Sequence, residues 1–128
     1  MLVSLGTALW LAAVPAAQAE DKVNLQQAAE VNAQLAITYL KQENLTAARD
    51  KIERALDQNP RSSEVQMAAG FVYDRLGDDR KAESHFQQAV KIGGKDNPLV
   101  LNNAGAFLCR KGDKKQGEQY FLQAAASA

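Results

Sequence analysis

Small and large apolar residues recur along this chain at helical spacing, in a pattern that repeats about every 34 residues. The first half of each unit carries a small residue and then a large one three positions later: Ala36 and Tyr39, Gly70 and Tyr73, Gly105 and Leu108. The second half carries small, large and small residues: Ala48, Ile52 and Ala55; Ala82, Phe86 and Ala89; Gly117, Phe121 and Ala124. Spacings of three and four residues place these side chains on one helix face. The pattern therefore predicts an all-α chain of about three helix-turn-helix units.

Turn and capping residues agree with this division. The predicted turns within the units are Glu43-Asn44, Gly77-Asp78 and Gly112-Asp113, where glycine can adopt the left-handed conformation that ends a helix. Asn44, Asp78 and Asp113 are predicted to cap the second helices. Asn24 with Gln27 and Ser63 with Gln66 match capping boxes, and Asn97 stands before Pro98 at a further predicted helix start.

The first nineteen residues differ from the rest of the chain. They contain no charged side chain, whereas all thirty charges follow them, and the apolar stretch is too short to span a membrane comfortably. Pro15 and the small residues around Gln18 match the end of a secretory signal peptide, with Glu20 as the first mature residue. A buried apolar N-terminal helix is the alternative. The predicted division is a signal peptide over 1–19, a lead-in and helix start over 20–28, and repeats over 29–62, 63–97 and 98–128.

Composition and charge narrow the range of functions. Fifteen basic residues balance fifteen acidic ones, which disfavours nucleic-acid binding. With one Cys and one His, the chain has no cysteine-cluster or two-histidine metal motif, and no catalytic set is visible. His85 is expected to be solvated, and the basic run Arg110, Lys111, Lys114 and Lys115 is expected to be a solvated loop. We therefore predict no enzyme activity, no cofactor, no metal and no small-molecule substrate.

Three features of the third unit give further expectations. Cys109 is expected to serve as a small packed residue rather than as a reactive thiol. Gly117 replaces the alanine of the other units and is expected to weaken its helix by about 1 kcal/mol. Tyr120, Phe121 and Leu122 are expected to leave an apolar face partly open near Ala128, which suggests a truncated chain or a partner at that end.

The period and the small-large alternation resemble the tetratricopeptide repeat. The resemblance implies that the first helices of the units line a concave protein-binding groove. The residues that would face it are Ala33, Ile37, Leu40, Met67, Phe71, Asp74, Leu99, Asn102, Ala106 and Cys109. This mainly apolar set suits an amphipathic helix or an extended apolar peptide. It does not suit a charged C-terminal tail, because family members of the carboxylate-clamp type have Lys and Asn where this chain has Ala33 and Ile37.

A more specific resemblance lies in the third unit. The stretch Leu101-Asn102-Asn103-Ala104-Gly105-Ala106-Phe107-Leu108-Cys109 is similar to one in the tetratricopeptide proteins of type IV pilus biogenesis. Members of that family act as pilotins, which are exported, are not enzymes and help the pilus secretin to reach or multimerise in the outer membrane. The resemblance implies a periplasmic protein whose partner is the secretin. Because no cysteine stands beside Ala19, association with the outer membrane is expected through the partner and not through a lipid anchor.

Other functions remain open on the sequence. The chain could be a generic periplasmic scaffold, or an accessory subunit of an envelope enzyme such as a cell-wall hydrolase. A cytosolic co-chaperone would require that residues 1–19 be retained.

Overall fold

The computed structural model describes residues 16–127, and these residues form six α-helices. The helices are α1 (Ala16–Lys41), α2 (Leu45–Gln58), α3 (Ser63–Arg75), α4 (Asp79–Ala89), α5 (Pro98–Lys111) and α6 (Lys114–Ser127). The all-α class and the three helix-turn-helix units are confirmed. Most of the predicted signal peptide lies outside the described residues. Ala16 opens helix α1, which continues without a break past Glu20.

The helices pack as three successive hairpins, α1 with α2, α3 with α4 and α5 with α6. Small residues allow the two helices of a hairpin to approach closely. A Cβ atom added to Gly70 would lie 2.8 Å from three ring atoms of Phe86, so the Phe86 ring occupies the space that a larger residue would need. Phe86 also joins two hairpins, because its ring centroid lies 5.0 Å from that of Phe107 on α5. Phe86 and Phe107 thus belong to one hydrophobic core that extends from α1 to α5.

The turns within the hairpins follow the sequence prediction. Gly77 and Gly112 have φ angles of +79° and +102°, in the left-handed region. The side chains of Asn44, Asp78 and Asp113 each accept a hydrogen bond from a backbone N–H in the first turn of the next helix. These contacts satisfy N–H groups that have no partner within the helix.

The first turn departs from this scheme. Glu43 occupies the position of Gly77 and Gly112 and adopts a φ of +58° despite its side chain. We expect Glu43→Gly to raise the free energy of unfolding by about 0.5–1 kcal/mol, because glycine takes this conformation without steric cost. The ion pair that would be lost, with Arg75 at 3.7 Å, is exposed and contributes little. Urea unfolding followed by far-UV circular dichroism measures the change.

Gly77→Ala is the matched control for Glu43→Gly. A Cβ at Gly77 meets no atom within 4 Å, so its effect is confined to the backbone conformation. Gly77→Ala should lower the free energy of unfolding by about 1–2 kcal/mol. A destabilised Glu43→Gly variant would show that the glutamate side chain contributes more than its backbone conformation costs.

Two predicted capping boxes are wrong. Asn24 and Gln27 lie inside α1. The N-cap of α3 is Ser62, whose Oγ accepts from the Val65 N–H at 3.2 Å. The predicted cap, Ser63, instead donates its hydroxyl to the carbonyl oxygen of Ala89 at 2.9 Å. A contact between distant segments has therefore displaced the cap by one residue.

The second unit is one residue longer than the first, because the step from Gly70 to Gly105 is 35 positions and the step from Ala36 to Gly70 is 34. This extra residue is accommodated in a π-helical turn. This turn, Val90–Gly94, follows α4 directly, so the helix changes its hydrogen-bond pattern before it ends at the second of the two glycines. Gly94 is buried, and a Cβ added there would lie 2.5 Å from Cγ1 of Val100. Asn97 then caps α5, as predicted, with its side chain accepting from the N–H groups of Leu99 and Val100.

His85 is not solvated as expected. Its ring is half-buried, lies parallel to the Tyr73 ring at 5.2 Å, and its Nδ1 is 2.7 Å from Oε1 of Gln66. The amide of Gln66 donates through Nε2 to the Pro60 carbonyl oxygen, so its Oε1 accepts from His85. Burial, and secondarily the positive charge of Lys81, lower the pKa of His85. Both effects favour the neutral imidazole, and the contact between its Nδ1 and Oε1 of Gln66 joins α3 to α4.

Gly117 also departs from the expectation. An added Cβ would overlap Sγ of Cys109 and would lie 2.8 Å from the carbonyl oxygen of Gly105. The lower helix propensity of glycine is therefore not the dominant effect at this position, because glycine is what allows α6 to pack against α5. The half-buried Cys109 lies in this contact between α5 and α6.

Candidate protein-binding groove

An open groove of about 920 Å³ runs between α1 and α3. Its residues come from the exposed side of these two first helices. The lining consists of Glu30, Ala33, Gln34, Ile37, Thr38, Leu40 and Lys41 of α1, and Glu64, Met67, Ala68, Phe71, Asp74 and Arg75 of α3. The positions recur at intervals of three and four residues, which is the spacing of one helix face.

The floor of the groove is made of small, nearly buried side chains. Ala33 and Ala68 are 6% and 5% exposed, and the larger Ile37, Met67 and Phe71 stand half-buried beside them. Short side chains between longer ones leave depressions that can receive the side chains of a partner. The groove is thus shaped for apolar contact.

The walls on α3 are held from behind by the rest of the protein. The Phe71 and Phe86 rings pack edge-to-face, with centroids 5.3 Å apart and an interplanar angle of 89°. The thioether of Met67 accepts a weak hydrogen bond from Nδ2 of Asn103 on α5 at 3.3 Å. These contacts hold the side chains of Phe71 and Met67 in place in the absence of a partner.

Asp74 lies in the groove but belongs to an ion-pair network with the third unit. Its carboxylate contacts Arg110 at 2.9 Å and Lys111 at 3.5 Å, and Lys111 also contacts Asp79 at 2.9 Å. The hydrogen bond to Asp79 is the main cause of a raised pKa for Lys111. Arg110 and Lys111, which were expected to begin a solvated basic run, therefore link α5 to α3 and α4.

The structure brings six of the predicted groove residues together and leaves four outside. Ala33, Ile37, Leu40, Met67, Phe71 and Asp74 line the groove. The four residues of α5 do not: Leu99, Asn102 and Ala106 are exposed but are not part of the lining, and Cys109 packs towards Gly117. The prediction assumed that all three first helices share one concavity, whereas this groove is formed by the first two.

The sequence analysis missed several residues of the lining. Gln34 and Thr38 each follow a predicted residue directly on α1, and Ala68 follows Met67 on α3. A wider helix face would have included them. The charged residues Glu30, Lys41, Glu64 and Arg75 were also not predicted, and all four are exposed at the groove.

Within residues 16–127, no three His, Cys, Asp or Glu side chains are placed to hold a metal ion. No helix in this range has the length and apolar character needed to cross a membrane.

Comparison with known proteins identifies the repeat. The family described as tetratricopeptide repeat matches residues 63–93, which cover α3, α4 and most of the π-helical turn. These residues form a tetratricopeptide repeat, and the fold of the described residues is of the tetratricopeptide type. The groove between α1 and α3 is formed by the first helices of two successive helix-turn-helix units.

Two relatives are similar to this chain in sequence. An uncharacterized protein of Haemophilus influenzae is 31% identical over 104 residues, which are 81% of this chain and 58% of the relative. The type IV pilus assembly protein PilF of Pseudomonas aeruginosa is 26% identical over 99 residues, which are 77% of this chain and 39% of PilF. The chain thus spans less than two thirds of either relative.

Solved structures are similar to the fold as well. The Pseudomonas aeruginosa PilF structure superposes with a TM-score of 0.74 at 25% identity, over 80% of this chain and 46% of PilF. The second tetratricopeptide domain of Spaghetti (RPAP3), bound to an HSP90 peptide, gives a TM-score of 0.72 at 16% identity, over 85% of this chain and 99% of that domain. The second likeness concerns the fold alone. The similarity to PilF is distant and is present in both sequence and structure.

Proposed function

We propose that this chain is a non-catalytic docking module of type IV pilus biogenesis. It acts in the periplasm, where it binds the outer-membrane secretin through the groove between α1 and α3 and aids secretin assembly. The apolar groove carries the proposal, because half-buried Ile37, Met67 and Phe71 offer a partner a surface to cover. The distant similarity to PilF supports the pilus context. The signal-peptide pattern of residues 1–19 supports export.

Secretin assembly in cells lacking the gene tests this proposal. Outer-membrane fractions are examined for heat-resistant, high-mass secretin bands after complementation with the wild-type gene or with Ile37→Glu. We expect wild type to restore the bands and Ile37→Glu to fail, because a carboxylate in the groove opposes apolar contact. Ile37 is preferable to Phe71, whose replacement would also remove the edge contact with Phe86.

Val31→Glu is the matched control. Val31 is 55% exposed on the same helix but does not line the groove. This variant should restore the bands as wild type does, and circular dichroism should show that both variants fold. Unchanged multimers in the deletion strain would overturn the proposal and favour a general envelope scaffold. Equal failure of both glutamate variants would remove the groove from the mechanism.

A further inference from the structure

The groove has opposite charges at its two ends. Glu30 and Glu64 line one end, and Lys41 and Arg75 line the other. The two acidic residues lie at one end and the two basic residues at the other because α1 and α3 run in the same direction. Arg75, at the end of α3, lies 3.7 Å from Glu43, just beyond the end of α1. The groove therefore has an acidic end and a basic end, with an apolar floor between them.

These charges are available to a partner. Within residues 16–127, Glu30, Glu64 and Lys41 take part in no ion pair, and Arg75 makes only its long, exposed contact with Glu43. Asp74 differs, because Arg110 and Lys111 already neutralise it. The basic end therefore remains basic despite the carboxylate in the lining.

The groove favours a helical occupant over an extended one. An extended peptide on an apolar floor needs partners for its backbone N–H and C=O groups, because unpaired buried groups are costly. The lining offers two neutral polar side chains, Gln34 and Thr38, and the Thr38 hydroxyl already donates to the Gln34 carbonyl oxygen. A helix satisfies its own backbone and presents side chains at intervals of three and four residues, which is the spacing of the depressions in the floor.

We infer that the occupant is an amphipathic α-helix of the partner that lies antiparallel to α1 and α3, with an acidic N-terminal turn and a basic C-terminal turn. The acidic turn lies against Lys41 and Arg75, and the basic turn against Glu30 and Glu64. This charge order is the one that stabilises a helix by itself, since acidic residues favour the N-terminal end and basic residues the C-terminal end. The inference rests on the proposed function in assigning the groove as the docking site.

The groove also sets the distance between the two charged turns. Glu30 and Lys41 are eleven positions apart on α1, which corresponds to about 16 Å at 1.5 Å per residue. The partner helix should therefore carry its opposite charges about eleven residues, or three turns, apart.

Synthetic helical peptides test the inference in solution. Three peptides of about 18 residues share one apolar stripe and differ only in their end turns: acidic then basic, acidic at both ends, or basic at both ends. Calorimetry at low salt measures their binding to the full chain. We expect the first peptide to bind about five- to tenfold more tightly than the others, since each exposed ion pair contributes modestly. High salt should reduce this preference.

A charge-exchanged variant tests the orientation. Glu30→Lys, Glu64→Lys, Lys41→Glu and Arg75→Glu together leave the net charge unchanged and reverse the polarity of the groove. The first peptide carries a nitroxide label at its N-terminus, and NMR spectra of the protein are recorded with the peptide bound. In the wild type, the protein's amide signals near Leu40 should broaden. In the exchanged variant, the signals near Ala33 should broaden in their place.

The outcomes separate this inference from the proposed function. Equal affinity of the three peptides, or one orientation in both proteins, would overturn the charge polarity while groove docking stands. Failure of all three peptides to bind would overturn the helical occupant. The peptides could bind as expected while secretin multimers form in the strain that lacks the gene. The inference would then stand, and the secretin would be removed as the partner.

Discussion

Replacing Phe86 with alanine should lower the free energy of unfolding by about 3–5 kcal/mol, the range for a fully buried aromatic residue. The ring is 1% exposed and contacts two neighbouring helices, α3 and α5. It fills the space beside Gly70, packs edge-to-face with the Phe71 ring and lies 5.0 Å from the Phe107 ring. The substitution would remove contacts within the second unit and across to the third. Since domains of this size are stable by only about 5–15 kcal/mol, much of the total would be lost.

Phe121→Ala is the matched control for Phe86→Ala. Phe121 occupies the same position one unit later but is 38% exposed, as the sequence analysis expected for this end of the chain. Its replacement should cost about 1–2 kcal/mol, because part of the ring is already in water. Urea unfolding followed by far-UV circular dichroism compares the two variants. Equal losses would show that position in the repeat, and not burial between units, determines the contribution.

Replacing Gly117 with alanine should destabilise the protein by about 1–3 kcal/mol, the range for overpacking a close contact. Helix propensity alone predicts the opposite, a gain of about 1 kcal/mol. The steric term dominates because the added Cβ would overlap Sγ of Cys109 and would lie 2.8 Å from the Gly105 carbonyl oxygen. The sulfur can move, but the backbone carbonyl cannot move without displacing α5. Thermal and urea unfolding both report the sign of the change.

Gly93→Ala is the matched control for Gly117→Ala. Gly93 is exposed in the π-helical turn, and an added Cβ would meet only Cβ of Ser63 at an ordinary 3.6 Å. This variant should be neutral or should gain up to about 1 kcal/mol from reduced freedom in the unfolded chain. A stabilised Gly117→Ala variant would contradict the close packing of α5 and α6.

Local features of the sequence predicted the helices and their turns well. Gly77 and Gly112 mark the left-handed turns because glycine lacks the Cβ atom that opposes this conformation. Asn44, Asp78 and Asp113 cap the next helices because their short side chains reach the first N–H groups. These effects act within four residues, so the sequence alone contains them. Glu43, which adopts the same turn conformation as the glycines, was located by the period of the repeat.

The candidate site was predicted only in part. Ile37 and Met67 could be assigned to the groove because the repeat places the first helices side by side. Leu99 and Asn102 have equivalent positions on α5 but lie outside it. Repeat position is a property of sequence, whereas enclosure depends on how far each hairpin is rotated from the one before. That rotation follows from side-chain packing between units, so the sequence of a single segment does not determine it.

The sequence by itself therefore determined the period, the helix pairs, the turns and the apolar character of the first helices. The tertiary structure decided which residue of a neighbouring pair performs a role, as when Ser63 bonds to Ala89 and leaves the cap to Ser62. It also decided that His85 is half-buried, that Gly117 is needed for close packing and that the groove is formed by two helices. The physical reason is range: helix formation and capping act between near neighbours, whereas burial and steric fit depend on residues that only folding brings together.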